Sequence, residues 1–272
     1  MYTLWRMPRI ARVVVPNVPH HITQRGVRSL PVFFNDGDRR AYLGFLHEQG
    51  LEHGVAFLAY CLMTNHVHLV AVPKRKDGLA RAIGEAHRRY TRWVNFRKKV
   101  RGYLFQGRFF SCPLDDEHFL AAVRYVELNP VRARRVRAAW DYRWSSCRFH
   151  VGLRKRDVLV QDRDLLGLES KWRRYLRDDD ELSKLVQDKT QTGSPCGSES
   201  FVRKIARRTG RALRPNKPGP KPNRQRYEIV TMSPMAVKQG ISQGEWAIAS
   251  PFFGQNRRSI RNQLADDQPI VA

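Results

Sequence analysis

The stretch Leu62 to Val72, LMTNHVHLVAV, constrains this chain more than any other. Apolar residues crowd both ends and β-branched residues recur, so it reads as a buried strand. Alternate side chains of a strand share a face, so His66 and His68 project together while Val67 points the other way. Two neutral imidazoles held rigidly side by side are good ligands for one divalent cation. The same pair could equally be satisfied by carbonyls or water at a strand end, and the rest of the chain has to decide.

Charge narrows the choice. Lys and Arg total 50 against 25 Asp and Glu, a formal +25 over 272 residues. Self-repulsion on that scale is relieved by a polyanion, and nucleic acid comes before an anionic membrane surface. Arginine outnumbers lysine, which favours phosphate forks and base stacking over loose attraction. Cys61, Cys112, Cys147 and Cys196 are too scattered for a metal-ligand pair or disulfide framework and are expected to be reduced, semi-buried and inert. No apolar run approaches the ~20 residues of a membrane helix, and Met1 to Arg12 lacks a signal-like apolar core. The expectation is a cytoplasmic, nucleoid-associated protein without a membrane partner.

His20 to Gly26 reads as a first strand stopped by a glycine turn, with Arg25 beside the turn. Asp38 can cap a helix through Tyr42, Leu43, Phe45 and Leu46, which Gly50 and Gly54 bracket. From Val55 the chain returns as a strand pair or one long strand into the histidines. Leu79, Ile83, Ala86, Tyr90 and Val94 fall at helical spacing beneath a basic face that includes Arg88 and Arg89. Gly102 to Phe110 mixes aromatics, glycine and Arg108, a pattern that can stack unpaired bases or pack as a strand edge. Asp115 to Glu117 open a helix, where the macrodipole favours acidic residues, and Asn129-Pro130 should stop it. Gly152 is expected to end the compact region. Polar helices follow over Asp164–Leu168 and Trp172–Leu185, then a Gly, Ser and Pro-rich hinge over Thr190–Ser200. A basic helix over Phe201–Leu213 leads into a proline-rich arm at Arg214–Pro222.

Tyr125 and Asn129 lie one helical turn apart on one face, flanked by Arg124, Arg132, Arg134, Arg135 and Arg137. A phenol is a poor nucleophile at neutral pH. Beside a cation that polarises a phosphodiester it can attack phosphorus and leave a covalent protein–DNA link. The amide oxygen of Asn129 would join His66 and His68 as a third ligand, a mixed set that suits Mg²⁺ or Mn²⁺. Tyr90, also set among arginines, competes for the nucleophile's role. It has Val94 rather than an amide four residues on.

Thr64 to His68, Tyr103 to Phe109 and above all Tyr125 to Ala133, YVELNPVRA, resemble the single-tyrosine HUH transposases, in particular the REP-associated tyrosine transposases of bacteria. The likeness covers roughly 7–152, with a weaker echo over 193–222. It implies an α+β, ferredoxin-like antiparallel sheet with helices on one face. It also implies a metal pair at His66 and His68, Asn129 as third ligand and Tyr125 as nucleophile. The implied activity is nicking and strand transfer of single-stranded DNA beside hairpins through a 5′-phosphotyrosine. Candidate DNA contacts are Arg25, Arg88, Arg89, Arg108, Arg124, Arg132, Arg134 and Arg135. The expected organisation is a nuclease domain over 1–152, a helical basic extension over 153–213 and a basic arm and tail over 214–272. The oligomeric state stays open between monomer and homodimer. The alternative is a hairpin-binding protein without catalysis, indifferent to metal and to Tyr125.

Overall fold

The first strand, β1 (His20–Arg25), ends where Gly26 passes close to its own turn: a Cβ on Gly26 would sit 2.2 Å from the Leu30 carbonyl oxygen. The computed structural model describes residues 12–165, 167, 171–177 and 182–213. All of these lie in a unit spanning Met1–Lys217. The proline-rich arm at Arg214–Pro222 and the tail that follows lie outside the described residues.

Helix α1 (Asp36–His53) is capped by Asn35, not by Asp38. Asp38 sits at the third helical position and returns its carboxylate to the Asn35 backbone, a reciprocal capping box that a lone candidate cap does not reveal. Gly54 closes α1 in the left-handed conformation at φ 65°. Then come β2 (Val55–Leu62) and β3 (His66–Pro73), so the histidine stretch is a hairpin whose turn is Met63-Thr64-Asn65. Helix α2 (Gly78–Lys98), β4 (Phe110–Pro113) and α3 (Asp116–Arg132) follow. The sheet is antiparallel with order β2-β3-β1-β4, which with the βαββαβ succession is the ferredoxin-like arrangement.

Strand alternation divides the core in two. Ile22, Val67, Leu69 and Ala71 pack with Tyr42, Leu46, Ile83 and Tyr90 of α1 and α2 on one face. Ala59, Cys61, Val70 and Cys112 pack with Phe119, Val123 and Val126 of α3 on the other. Each fully buried Val, Leu, Ile or Phe among them contributes roughly 1.5–3 kcal/mol. The pair α1 and α2 forms the helical layer of the expected fold, and α3, arriving after the last strand, covers the histidine face.

Helix α3 does not stop at Asn129 but runs through Pro130 to Arg132. A proline this near the end removes a single intrahelical bond. Side-chain donors from Asn129 and Arg132 reach the Tyr125 carbonyl at 3.2 and 3.1 Å across the same turn. Beyond Gly152 the chain stays on this core. Leu165, Trp172, Leu176, Val186 and Cys196 all join the α3 cluster. Short helices α4 (Cys147–His150) and α5 (Trp172–Tyr175) precede α6 (Leu182–Thr192) and α7 (Glu199–Thr209). The segment expected as a hinge is pinned instead. Thr190 is buried in α6, and the Cys196 N–H donates to the Pro113 carbonyl at 2.9 Å while its own carbonyl accepts from Asp115. Gly, Ser and Pro mark irregular backbone, and here that backbone covers the open edge of β4. In α7, Ile205 packs on Val13, Val15 and Val18. All four cysteines are free and fully buried rather than half so.

Candidate active site

Register on β1 and β3 builds the floor of the site. Arg25 lies opposite His66 and Thr23 opposite His68, so the face that carries both imidazoles also carries Arg25 and, further along β1, His21. Helix α3 lies over this face and lowers Tyr125 onto it. The Tyr125 ring meets His68 edge-on at 5.4 Å between centroids and His21 at 5.6 Å, while His66 and His68 are 5.1 Å apart. Asn129, one turn on, donates its NH₂ to the Tyr125 carbonyl at 3.2 Å, and its amide bears on the charge states of both His66 and the Tyr125 phenol. The Arg132 guanidinium sits 4.9 Å over the Tyr125 ring. The structure therefore brings together His66, His68, Tyr125, Asn129, Arg25 and Arg132.

Electrostatics keep every donor in the form a cation needs. Burial, then the nearby Arg25 charge, pulls His66 down to about 4, against the opposing Asn129 hydrogen bond. His68 is pushed further down by burial, by His21 and His66 and by Arg25 and Arg132. Both rings are neutral at physiological pH, as ligands must be. For Tyr125 burial raises the pKa, and the Asn129 hydrogen bond, Arg132 and Arg25 pull the other way. Orientation is fixed too. His66 Nδ1 is 2.7 Å from the Asn65 amide oxygen, whose NH₂ is in turn held by the Ser29 carbonyl at 3.0 Å. An amide oxygen only accepts, so His66 carries its proton on Nδ1 and presents Nε2 as the lone pair. Two imidazoles with an amide oxygen nearby fit a divalent cation of the Mg²⁺ or Mn²⁺ kind, with no carboxylate in the set. Among the described residues no three His, Cys, Asp or Glu side chains cluster as a metal site on their own.

The other arginines fall elsewhere. Arg134 and Arg135 are exposed just past the end of α3, Arg134 in the left-handed region at φ 53°. Arg124, next to the tyrosine in sequence, is buried against α5, 4.2 Å over the Tyr175 ring with a bond to its carbonyl. That placement corrects its reading as a DNA contact. Arg88 and Arg89 lie on α2, across the sheet, paired with Glu85 and with Glu85 and Glu48 respectively. With Arg108 and Arg12, Arg88 lines a groove of about 680 Å³ between α2 and the 100–109 loop, where Phe105 forms the wall and Tyr103 stands 91% exposed. Tyr90 belongs to the core between α1 and α2, its hydroxyl donating to the Val32 carbonyl at 2.6 Å.

One residue the motif reading passed over is His21. It stacks on His68 at 5.4 Å with an interplanar angle of 3° and touches Tyr125. Burial pulls it down to about 3. The available signal was strand alternation along HHITQR, which puts His21 on the face of Thr23 and Arg25.

Paired histidines of an α+β sheet here meet a helix-borne tyrosine among arginines. Residues 15–129 match the family model described as IS200-like transposase. Among solved structures the chain is similar to a REP-associated tyrosine transposase bound to a REP hairpin, at 15% identity over 58% of this chain and 93% of that one, with a TM-score of 0.48. It is also similar to a protein described as a transposase from Deinococcus radiodurans, at 16% identity over 46% and 90%, with a TM-score of 0.32. No curated protein matches it. No helix among the described residues is long and apolar enough to cross a membrane.

Proposed function

We propose that the protein is a metal-dependent nickase and strand transferase of single-stranded DNA that acts beside hairpins through a covalent tyrosine intermediate. The observation that carries this reading is the convergence of Tyr125, from α3, on His66 and His68, from β3, with Asn129 one turn along the same helix. Arg25 and Arg132 draw a phosphate onto this face and offset the charge that develops on its oxygens. The Tyr125 phenol oxygen attacks phosphorus and gives up its proton. The P–O3′ bond breaks, and O3′ leaves with a proton as a hydroxyl. The protein then holds the 5′-phosphate on Tyr125, and a later attack by a 3′-hydroxyl reverses the step. His66, His68 and Asn129 would hold a divalent cation, which would polarise the phosphodiester. Asn65 keeps Nε2 of His66 available for it, and burial, with Arg25 adding to it, holds both imidazoles neutral.

The groove between α2 and the 100–109 loop is read as the seat of the flanking single strand. Arg12, Arg88 and Arg108 would meet phosphates there and Tyr103 a base. Labelled hairpin with a single-stranded flank, incubated with the protein with and without EDTA, tests the proposal. A covalent adduct is expected that EDTA abolishes and that Tyr125→Phe removes while Tyr90→Phe, if folded, retains it. Tight binding with no adduct under any metal would leave a hairpin binder, and an adduct lost only in Tyr90→Phe would move the nucleophile.

A further inference from the structure

A line of buried hydrogen bonds leads from His68 away from the tyrosine and into the C-terminal helices. His68 Nδ1 is 3.2 Å from His21 Nε2, and His21 Nδ1 is 2.7 Å from the Thr190 hydroxyl of α6. The Thr190 oxygen is 2.7 Å from the Val186 carbonyl and 3.1 Å from the Cys112 sulfur. His21 and Thr190 are each 1% exposed and Cys112 is sealed at 0%, so the middle of this line is shut off from solvent.

Counting protons along it leaves one arrangement for neutral rings. A carbonyl only accepts, so the single Thr190 hydroxyl proton goes to Val186, the turn-back bond open to a helical threonine. The hydroxyl lone pairs then face Cys112, whose S–H can donate, and His21 Nδ1. Two acceptors cannot face each other at 2.7 Å, so His21 must carry its proton on Nδ1. Its Nε2 is then an acceptor, and the proton in the His21–His68 contact belongs to His68 Nδ1. Nε2 of His68 remains as the lone pair. His66 reaches the same tautomer by an independent route, through Asn65.

We propose that Thr190 is a positioning residue for His68: acting through His21, it sets the Nδ1–H tautomer and so presents Nε2 of His68 to the site. The functional consequence rests on reading His68 as a metal ligand, whereas the tautomer itself does not. Thr190 stands outside residues 15–129, the part that matches the transposase family, so a helix of the extension completes the site from behind.

Long-range ¹H–¹⁵N spectra of histidine-labelled, metal-free protein at neutral pH test this. His21 and His68 should both appear as Nδ1–H tautomers. In Thr190→Val, which keeps the shape and removes the hydroxyl, the His68 signals should move toward the Nε2–H form. Mn²⁺ affinity measured by calorimetry should fall ~10–100-fold, the usual effect of losing a partner behind a metal ligand. Thr190→Ser should restore both. A wild-type His68 found as Nε2–H, or one unmoved in Thr190→Val, overturns the proposal, and the wild-type spectrum decides the first point without any variant having to fold. Tautomers as stated in a wild type that binds no Mn²⁺ would uphold the relay and sink the proposed metal function instead.

Discussion

Glu127 offers the sharpest stability test because three donors from two distant segments of the chain converge on one buried carboxylate. One oxygen accepts from Ser146 at 2.7 Å and His150 at 2.6 Å, and the other from the Trp172 indole at 2.8 Å, with the residue 0% exposed. These bonds tie α3, two residues from Tyr125, to α4 with its preceding Ser146 and to α5. In Glu127→Gln the amide oxygen does best facing Ser146 and His150, which leaves the Trp172 N–H against an NH₂ group. One bond to a charged acceptor is worth ~1.5–3 kcal/mol, and the orphaned indole adds to the loss. The expected cost is therefore about 3 kcal/mol, and for Glu127→Ala, which orphans all three donors, ~3–5 kcal/mol. For a unit of this size that corresponds to a fall in Tm of ~6–12 °C for the glutamine variant. Urea unfolding followed by tryptophan fluorescence measures it. A cycle with Trp172→Phe isolates the indole bond, whose coupling should be ~1–2 kcal/mol. A Glu127→Gln protein within ~0.5 kcal/mol of wild type, or an additive cycle, would refute the claim that this carboxylate bolts α3 in place.

Three further outcomes are expected. His20 is fully buried, accepts the Val15 N–H on Nε2 at 3.2 Å and is held down at about 4 by burial, whereas unfolded it titrates near 6.5. It binds its proton only on unfolding, so stability is full above pH 6.5 and drains away as pH falls toward 4. Between pH 7 and 5 His20 alone should account for about 2 kcal/mol, read as a flatter pH dependence of urea stability in His20→Gln. In the groove, Tyr103→Ala should weaken single-strand binding by ~1–3 kcal/mol without altering its salt dependence. Arg108→Ala should instead lower the slope of log affinity against log salt by about 0.7, and equal slopes in wild type and variant would remove Arg108 from the phosphate path.

What was legible and what was not follows from how far each signal reaches along the chain. Period two in HVH and the four-residue step from Tyr125 to Asn129 are local, and each places its pair on one face before any partner is known. The same periodicity placed Tyr90 on an apolar stripe, where its hydroxyl indeed bonds a backbone carbonyl in the core. Charge reads less well. Arg124 and Arg132 look alike in sequence, yet eight helical residues leave them about 80° apart around the axis, and one meets Tyr175 in the interior while the other covers the Tyr125 ring. Composition misjudged Thr190 to Ser200 because a loop-forming alphabet does not say whether the loop is exposed or pinned to a sheet edge. His21 lay between these cases. Its face was readable from alternation around Ile22, but its meeting with His68 depends on the β1–β3 register, which no single strand encodes. Thr190 is 169 residues from His21, and nothing near it announces a histidine partner. Side chains that present chemistry thus sit in short periodic elements and can be found one element at a time. Those that orient them come from whichever segment finally packs behind the sheet, and so they become visible only when the chain has closed on itself.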